Sequence, residues 1–267
     1  MLQFFWGENN MLEVFNGDCL VVLQILINKG YLFDAIICDP PYGTTPAECD
    51  KVVPFELMWK LLKPLRKPNC PIVLFGNEPF SSYLRLSNIN EFKYDWVWEK
   101  SKAGSAITAK YRPLAKHEMI SVFGPNGGKV SYYPQKIQGE PYKRVHKHTM
   151  ASKSNNHKVG LNNKEFVHIS DGMRHPSTVQ FFAQKWRKQD QIHPHQKPVE
   201  LMEFLIKSYT LEGDKILDFT MGSGTTLLAA KNLNREAVGI ERDNTYFNIA
   251  CTRLGIENNG KSYGSIN

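Results

Sequence analysis

Lys215-Ile216-Leu217-Asp218-Phe219-Thr220-Met221-Gly222-Ser223-Gly224-Thr225-Thr226 runs from an apolar stretch, through two spaced glycines, into a threonine pair. The apolar part predicts an interior strand over Ile216–Phe219. Glycines at 222 and 224 permit a tight strand-to-helix turn and let a ligand approach bare backbone. The helix that Thr225 and Thr226 open offers amides to an anion, and their hydroxyls add donors. Roughly 20 residues onward, Val238-Gly239-Ile240 ends in Glu241, placed to accept both hydroxyls of a ribose. Asp218, Phe219, Gly222, Ser223, Gly224, Thr225, Thr226 and Glu241 are therefore the candidate cofactor residues. The third glycine of a nicotinamide site is missing, and no Gly-Lys-Ser/Thr phosphate loop follows.

Working outward, short apolar runs alternate with helical stretches. Strands are predicted at Glu13–Asn16, Ala35–Cys38, Ile72–Phe75, Trp96–Trp98, Met119–Phe123, Ile216–Phe219 and Val238–Glu241. Helices are predicted at Val21–Asn28, Pro54–Leu65, Pro79–Leu86, Pro198–Tyr209, Thr225–Leu233 and Asn244–Leu254. Pro54, Pro79 and Pro198 suit a first helical turn. This alternation is the pattern of a doubly wound, mostly parallel α/β sheet of seven strands. Phe55, Trp59, Trp96 and Trp98 read as core or pocket wall.

The second informative run is Asp39-Pro40-Pro41-Tyr42. It follows Ala35–Cys38, a continuous apolar strand of the kind buried on both faces. Asp39 stands at the carboxyl edge, where ligands bind such sheets. Pro40 and Pro41 fix φ and remove two amide donors. What remains is a stiff corner of acceptors, the Asp39 carboxylate and a prolyl carbonyl, with the Tyr42 ring beside it. Such a corner suits a planar amino group. Hydrogen bonds from both its protons free the nitrogen lone pair, and Tyr42 offers a face for stacking.

The chain has 267 residues and 42% hydrophobic content, enough for a full core. Its five cysteines are scattered with no CxxC pair, which supports neither a disulfide framework nor a zinc site. His193 and His195 have no cysteine or acidic cluster beside them, so no metal is expected. No apolar run approaches a membrane span and no signal pattern opens the chain, so cytoplasmic residence is the default. The net charge of +7 is segregated: Lys93 to Lys197 carries 19 Lys/Arg against 7 Asp/Glu, and all eight histidines. A confined basic block fits a polyanion.

Gly124-Pro125-Asn126-Gly127-Gly128 and Ile192-His193-Pro194 bracket a stretch of little periodicity. Residues 125–191 are accordingly read as an insertion of irregular structure, and 1–124 with 192–267 as the main domain. Met1–Asn10 has no evident partner, and Met11 is an alternative start.

Together the two runs resemble the S-adenosyl-methionine-dependent DNA amino-methyltransferases. The order, Asp-Pro-Pro-Tyr before Phe-x-Gly-x-Gly, is similar to the circularly permuted beta group. The likeness extends from Met11 to Leu254. It implies that Asp39, Pro40, Pro41 and Tyr42 are catalytic and that Asp18 lies near the cofactor adenine, though Asp18 also suits a helix cap. It further implies that Ile192–Pro198, with His195 and Lys197, lines the methionine end. Arg112-Pro113-Leu114-Ala115-Lys116-His117-Glu118 and Arg174-His175-Pro176-Ser177 resemble further family segments, with His117 and Glu118 also readable as strand-entry packing.

The resemblance implies methyl transfer from S-adenosyl-methionine to an extruded base in double-stranded DNA. Aspartate at the first motif position favours adenine N6. Cytosine N4 is the nearest rival, and a DNA-binding module without catalysis is the rival of another class. The insertion becomes a target-recognition region, with Arg112, Lys116, Arg144, Lys147 and Arg174 as candidate DNA contacts. A homodimer, a cognate restriction endonuclease and a nucleoid location are the further expectations.

Overall fold

The computed structural model describes residues 3–6, 11–44, 50–104, 109–148, 164–184 and 196–256. Its larger compact unit comprises residues 1–133 and 178–267, and a smaller one comprises 134–177. The smaller unit thus lies within the expected insertion of 125–191, and the residues flanking it belong to the larger.

Strands are numbered in chain order. The larger unit holds β1 (Gln3–Trp6), β2 (Leu12–Asn16), β3 (Ala35–Cys38), β4 (Ile72–Gly76), β5 (Phe92–Gly104), β6 (Ala115–Phe123), β11 (Val179–Phe182), β12 (Lys215–Asp218) and β13 (Glu236–Glu241). Among the described residues these form one sheet in the order β1-β2-β13-β12-β3-β4-β6-β5-β11. From β2 to β4 every pairing is parallel. β6 is antiparallel to both β4 and β5.

The seven predicted strands are all present, and two more extend the sheet. β1 pairs antiparallel with β2, from Gln3 opposite Asn16 to Trp6 opposite Glu13. Residues 3–6 therefore do have a partner, contrary to the sequence reading; an edge pairing uses backbone groups alone and leaves no spacing signal. β11 pairs parallel with β5, and Val97 donates its amide to Thr178 at 2.8 Å. Val179 and Phe181 stay exposed, as alternate residues of an edge strand do.

Among the described residues six α-helices cover the sheet: α1 (Cys19–Asn28), α2 (Phe55–Leu62), α3 (Phe80–Ser87), α4 (Val199–Tyr209), α5 (Thr225–Asn232) and α6 (Asn244–Leu254). The two faces follow from strand alternation. Ala35, Ile37, Val73 and Phe75 point toward α4, α5 and α6. Ile36, Cys38, Ile72 and Leu74 point toward α1, α2 and α3. Trp59, Trp96 and Trp98 are buried as expected. Pro54, Pro79 and Pro198 occupy the N-cap position, one residue before the first turn. There a residue without an amide still supplies the first carbonyl, as Pro54 does to the Met58 amide at 2.9 Å.

The described residues of the smaller unit include regular strands, where the sequence reading expected irregular structure. β8 (Tyr142–His148) and β9 (Lys164–Ser170) form an antiparallel ribbon of seven residue pairs. β7 (Ile137–Gln138) pairs with β10 (Met173–Arg174). The ribbon escaped sequence reading because it lacks an inside: Lys143, Arg144, Val145, Val167, His168 and Ile169 are all exposed. Without one buried face there is no selection for alternation.

A polar knot sits inside the core under α4. Trp96 donates its indole N–H to the Tyr209 hydroxyl at 2.6 Å, and the Tyr94 hydroxyl lies 3.1 Å from the same oxygen. Trp96 and Tyr209 are buried. Tyr209→Phe strands the indole donor and should lower unfolding free energy by about 1–3 kcal/mol, read from urea denaturation at unchanged slope.

Candidate active site

β3 and β12 lie side by side, with Leu217 opposite Ile36. The chain leaves β12 through α5 toward β13 and leaves β3 through α2 toward β4, so the strand order reverses between them. That reversal is where open α/β sheets bind ligands. Asp39 and Asp218 stand at the carboxyl ends of these two strands. The Thr220 hydroxyl donates to the Asp39 carbonyl at 3.1 Å and lies 2.9 Å from the Cys38 Sγ. Two runs about 180 residues apart are thus tied together, and one cavity of about 740 Å³ is lined by both.

Asp39 anchors an ion cluster. Its Oδ2 lies 2.6 Å from the Lys197 ammonium, and its Oδ1 accepts the Tyr42 hydroxyl at 2.5 Å. Lys197 also stands 3.2 Å from Glu118 Oε2, and Lys100 pairs with Glu118 Oε1. The Lys197 ammonium further lies 5.1 Å from the Phe75 ring centre and 5.7 Å from that of Tyr42. Burial alone would push the Lys197 ammonium down, but Asp39 and Glu118 outweigh it and hold it above the ordinary lysine range. Burial would raise Glu118, yet Lys197 and Lys100 bring its carboxyl below the usual range. At Asp39 burial wins and the carboxyl is raised, despite the pull of Lys197.

The Tyr42 ring packs on Phe80 at 5.1 Å, and Asp50 Oδ1 accepts the amides of Tyr42 and Gly43 at 2.9 and 3.1 Å. The prolyl corner is therefore braced from both sides.

At the other end of the crevice, Gly222 and Gly224 adopt φ of 51° and 75°, the left-handed region that favours glycine. Gly224 is the N-cap of α5 and makes no side-chain capping bond, which leaves first-turn amides for an anion. A Cβ at Gly224 would meet Ala250 and Leu254 at 3.2 and 3.3 Å, so this glycine serves helix packing against α6. Arg253 of α6 ties the turn down through the Ser223 carbonyl at 3.2 Å and the Thr225 hydroxyl at 2.8 Å. Burial lowers the guanidinium pKa of Arg253.

Thr226 donates its hydroxyl proton to Asp218 Oδ2 rather than toward the cavity, as a buried carboxylate requires. Even so, burial pushes the Asp218 carboxyl up to about 7. Glu241 accepts the Gly222 amide at 2.9 Å and the Asp243 amide at 2.8 Å. A carboxylate has about four lone-pair sites, so Glu241 keeps capacity for a ligand hydroxyl beside its backbone amides. Burial raises the Glu241 carboxyl despite these bonds.

Of the other sequence candidates, Asp18 caps α1 through the Leu20 amide at 2.8 Å and also lines the cavity. Lys197 lines it too, on the Asp39 side. His195 lies outside the described residues, as does the Lys147 side chain. Lys116 is exposed and pairs with Glu99 at 2.7 Å, and Arg112 is exposed. In the smaller unit Arg144 is exposed on β8, and exposed Arg174 donates to the Glu140 carbonyl at 3.3 Å. Glu118 is an ion-paired cavity wall, more than strand-entry packing. Lys100, Thr220 and Arg253 were not singled out; only their folded neighbours give them meaning.

Residues 33–252 match the model of a family described as DNA methylase, with N6 and N4 methyltransferases in its name. M.HpaI, a type II methyltransferase of Haemophilus parainfluenzae, is 29% identical over 241 residues, 85% of this chain and 69% of that protein. M.HindIII of Haemophilus influenzae is 54% identical over 71 residues, which is 27% of this chain but spans only 23% of that protein. Among solved structures, M1.HpyAVI in complex with SAM superposes with a TM-score of 0.64 at 26% identity, covering 91% of this chain and 99% of that one. The cytosine-N4-specific PvuII methyltransferase shares the fold, with a TM-score of 0.62 at 14% identity over 93% and 87% of the two chains. With the family match running through both motifs and the crevice between them, the chain belongs to the N6/N4 DNA methylase family.

Proposed function

We propose that this chain is a DNA methyltransferase that methylates the exocyclic amine of adenine, drawing on S-adenosyl-methionine. The observation that carries the reading is the shared crevice: the Asp39–Tyr42 corner and the Gly222-Ser223-Gly224 turn line one cavity of about 740 Å³. That volume lies within the range of small-molecule sites, roughly 300–1,000 Å³.

The residues fit the cofactor. The uncapped start of α5 suits its amino-acid carboxylate. Glu241 closes β13 where ribose hydroxyls are accepted in such sheets, and Asp18 lines the cavity as an adenine neighbour would. When bound, S-adenosyl-methionine supplies an electrophilic sulfonium methyl. Asp39 accepts the amine protons of an extruded base and meets the positive charge that the nitrogen acquires, until a proton leaves to solvent. Tyr42 holds the Asp39 carboxylate in place through its hydroxyl. Positioning of this kind supplies much of the rate.

Aspartate at position 39 supports adenine, since the resembling adenine enzymes commonly open this motif with aspartate. The beta-group assignment rests on motif order. The smaller unit supports duplex recognition: a two-stranded ribbon fits the major groove, and β8 carries Lys143, Arg144 and Lys147. The larger unit contributes Arg112 and Lys116. Relatives named type II methyltransferases support a cognate restriction endonuclease as partner, while a homodimer rests on the resemblance. No described helix is long and apolar enough to cross a membrane, and the proposed DNA substrate supports a nucleoid location.

Incubation with tritiated cofactor and duplex DNA, then nucleoside analysis, should place the label on adenine; label on cytosine would reassign the base, and none would leave only DNA binding. Asp39→Ala should cut transfer by about 100-fold or more while DNA affinity changes little. Arg144→Ala should weaken DNA binding and flatten the slope of log affinity against log salt by about 1, measured by fluorescence anisotropy.

A further inference from the structure

We propose that Glu118 and Lys197 are positioning residues that set how much negative charge Asp39 presents to the target amine, with Glu118 drawing the Lys197 ammonium partly away from Asp39. The inference rests on the methyl-transfer reading and deepens it.

Three elements converge to build the device. Asp39 follows β3, Glu118 lies on β6, and Lys197 precedes α4. The side chains of Lys197 and Glu118 are 8% and 9% exposed, whereas that of Asp39 is 25% exposed and faces the cavity. One ammonium thus stands between two carboxylates, 2.6 Å from one and 3.2 Å from the other. Its three protons can satisfy both. Lys100 on the far oxygen of Glu118 completes a four-charge cluster with no net charge.

Buried ion clusters are a poor way to gain stability, because desolvation offsets most of the attraction. The position of this one, on the carboxylate that meets the amine, gives it a chemical use. A lysine paired with Asp39 alone would neutralise the group that must answer a developing cation. A bare Asp39, with no ammonium beside it, would take up a proton more readily and lose its acceptor capacity. Sharing the ammonium with Glu118 favours the ionised form of Asp39 without fully neutralising it.

Among the described residues, the charged and titratable groups acting on Asp39 are Lys197 and Glu118, Tyr42 from its own loop, and Cys38 and Asp218 from the two central strands. Within this set, Lys197 favours the ionised form of Asp39 and Glu118 opposes it. Removing either partner therefore moves the acid limb of turnover in opposite directions. Glu118→Gln takes away a negative charge, so the limb should shift to lower pH. It should also lower kcat at neutral pH roughly tenfold, the equivalent of about 1.4 kcal/mol, with KM for S-adenosyl-methionine unchanged. Lys197→Met alone leaves two buried carboxylates without their shared cation and is prone to misfold. Lys197→Met combined with Glu118→Gln keeps Asp39 and Lys100, hence a neutral cluster, and its limb should shift to higher pH.

The experiment is the pH profile of kcat for the full chain, Glu118→Gln and the double variant, with folded fractions matched by circular dichroism and Asp39→Ala run in parallel. Opposite limb shifts support the proposal. Limbs coincident with the parent, or moving the same way, overturn it and reduce the cluster to a structural element. If Asp39→Ala keeps turnover, the methyl-transfer reading itself fails, an outcome separate from either result for Glu118.

Discussion

The parallel contact between β3 and β12 is the constraint on which the site depends. Only because Leu217 lies opposite Ile36 do the prolyl corner and the glycine turn emerge at the same edge of the sheet. Strands this short, four residues each, hold their register through burial on both faces: Ala35 to Cys38 and Ile216 to Leu217 are fully enclosed. A slip of one residue would turn every side chain to the opposite helix layer. The Thr220 bond to the Asp39 carbonyl then fixes the loops beyond the strand ends. Side chains remote along the chain become neighbours through main-chain pairing.

That placement brings carboxylates into a poorly hydrated wall. Asp39, Asp218, Glu118 and Glu241 all line the cavity, and each is stabilised differently. Glu118 has two lysines and Glu241 has backbone amides, whereas Asp218 has a threonine hydroxyl, the Cys38 thiol and one amide. The differences show in their acidity: the two cations overcome burial at Glu118, while neutral donors leave Asp218 raised to about 7. Two full positive charges beside a buried carboxylate do what neutral donors at Asp218, or the one shared ammonium at Asp39, do not.

How much of this was legible in the sequence depends on period and turn chemistry. Interior strands such as Ala35–Cys38 declare themselves as unbroken apolar runs bounded by turn residues, and all seven were found. The neighbour order β2-β13-β12-β3 is set by pairings between strands remote in the chain, which no local pattern encodes. The edge strand β1 and the ribbon β8–β9 were missed because their pairing buries no regular apolar face. Asp39 and Gly222 were visible because prolines and glycines limit what a backbone can do. Lys100 and Arg253 were not, and Glu118 showed only as part of a family-like segment, because a charged side chain carries no local mark of the partner it will meet across the fold.

The same contrast bears on where sequence specificity resides. A clamp of acceptors on an amine reads one functional group, and the braces on Tyr42 and Asp39 leave it little freedom to read more. Flanking bases must be read elsewhere. The ribbon of the smaller unit has the opposite construction: both faces of its described residues are open, with Val145, Val167 and Ile169 exposed beside Lys143 and Arg144. With these side chains open to solvent, such a ribbon tolerates substitution at its exposed positions. The catalytic crevice does not, because Asp39, Glu118, Asp218 and Glu241 are each held by specific cations, hydroxyls or amides. On the proposed reading, target choice can therefore drift through the ribbon while the chemistry at Asp39 stays unchanged.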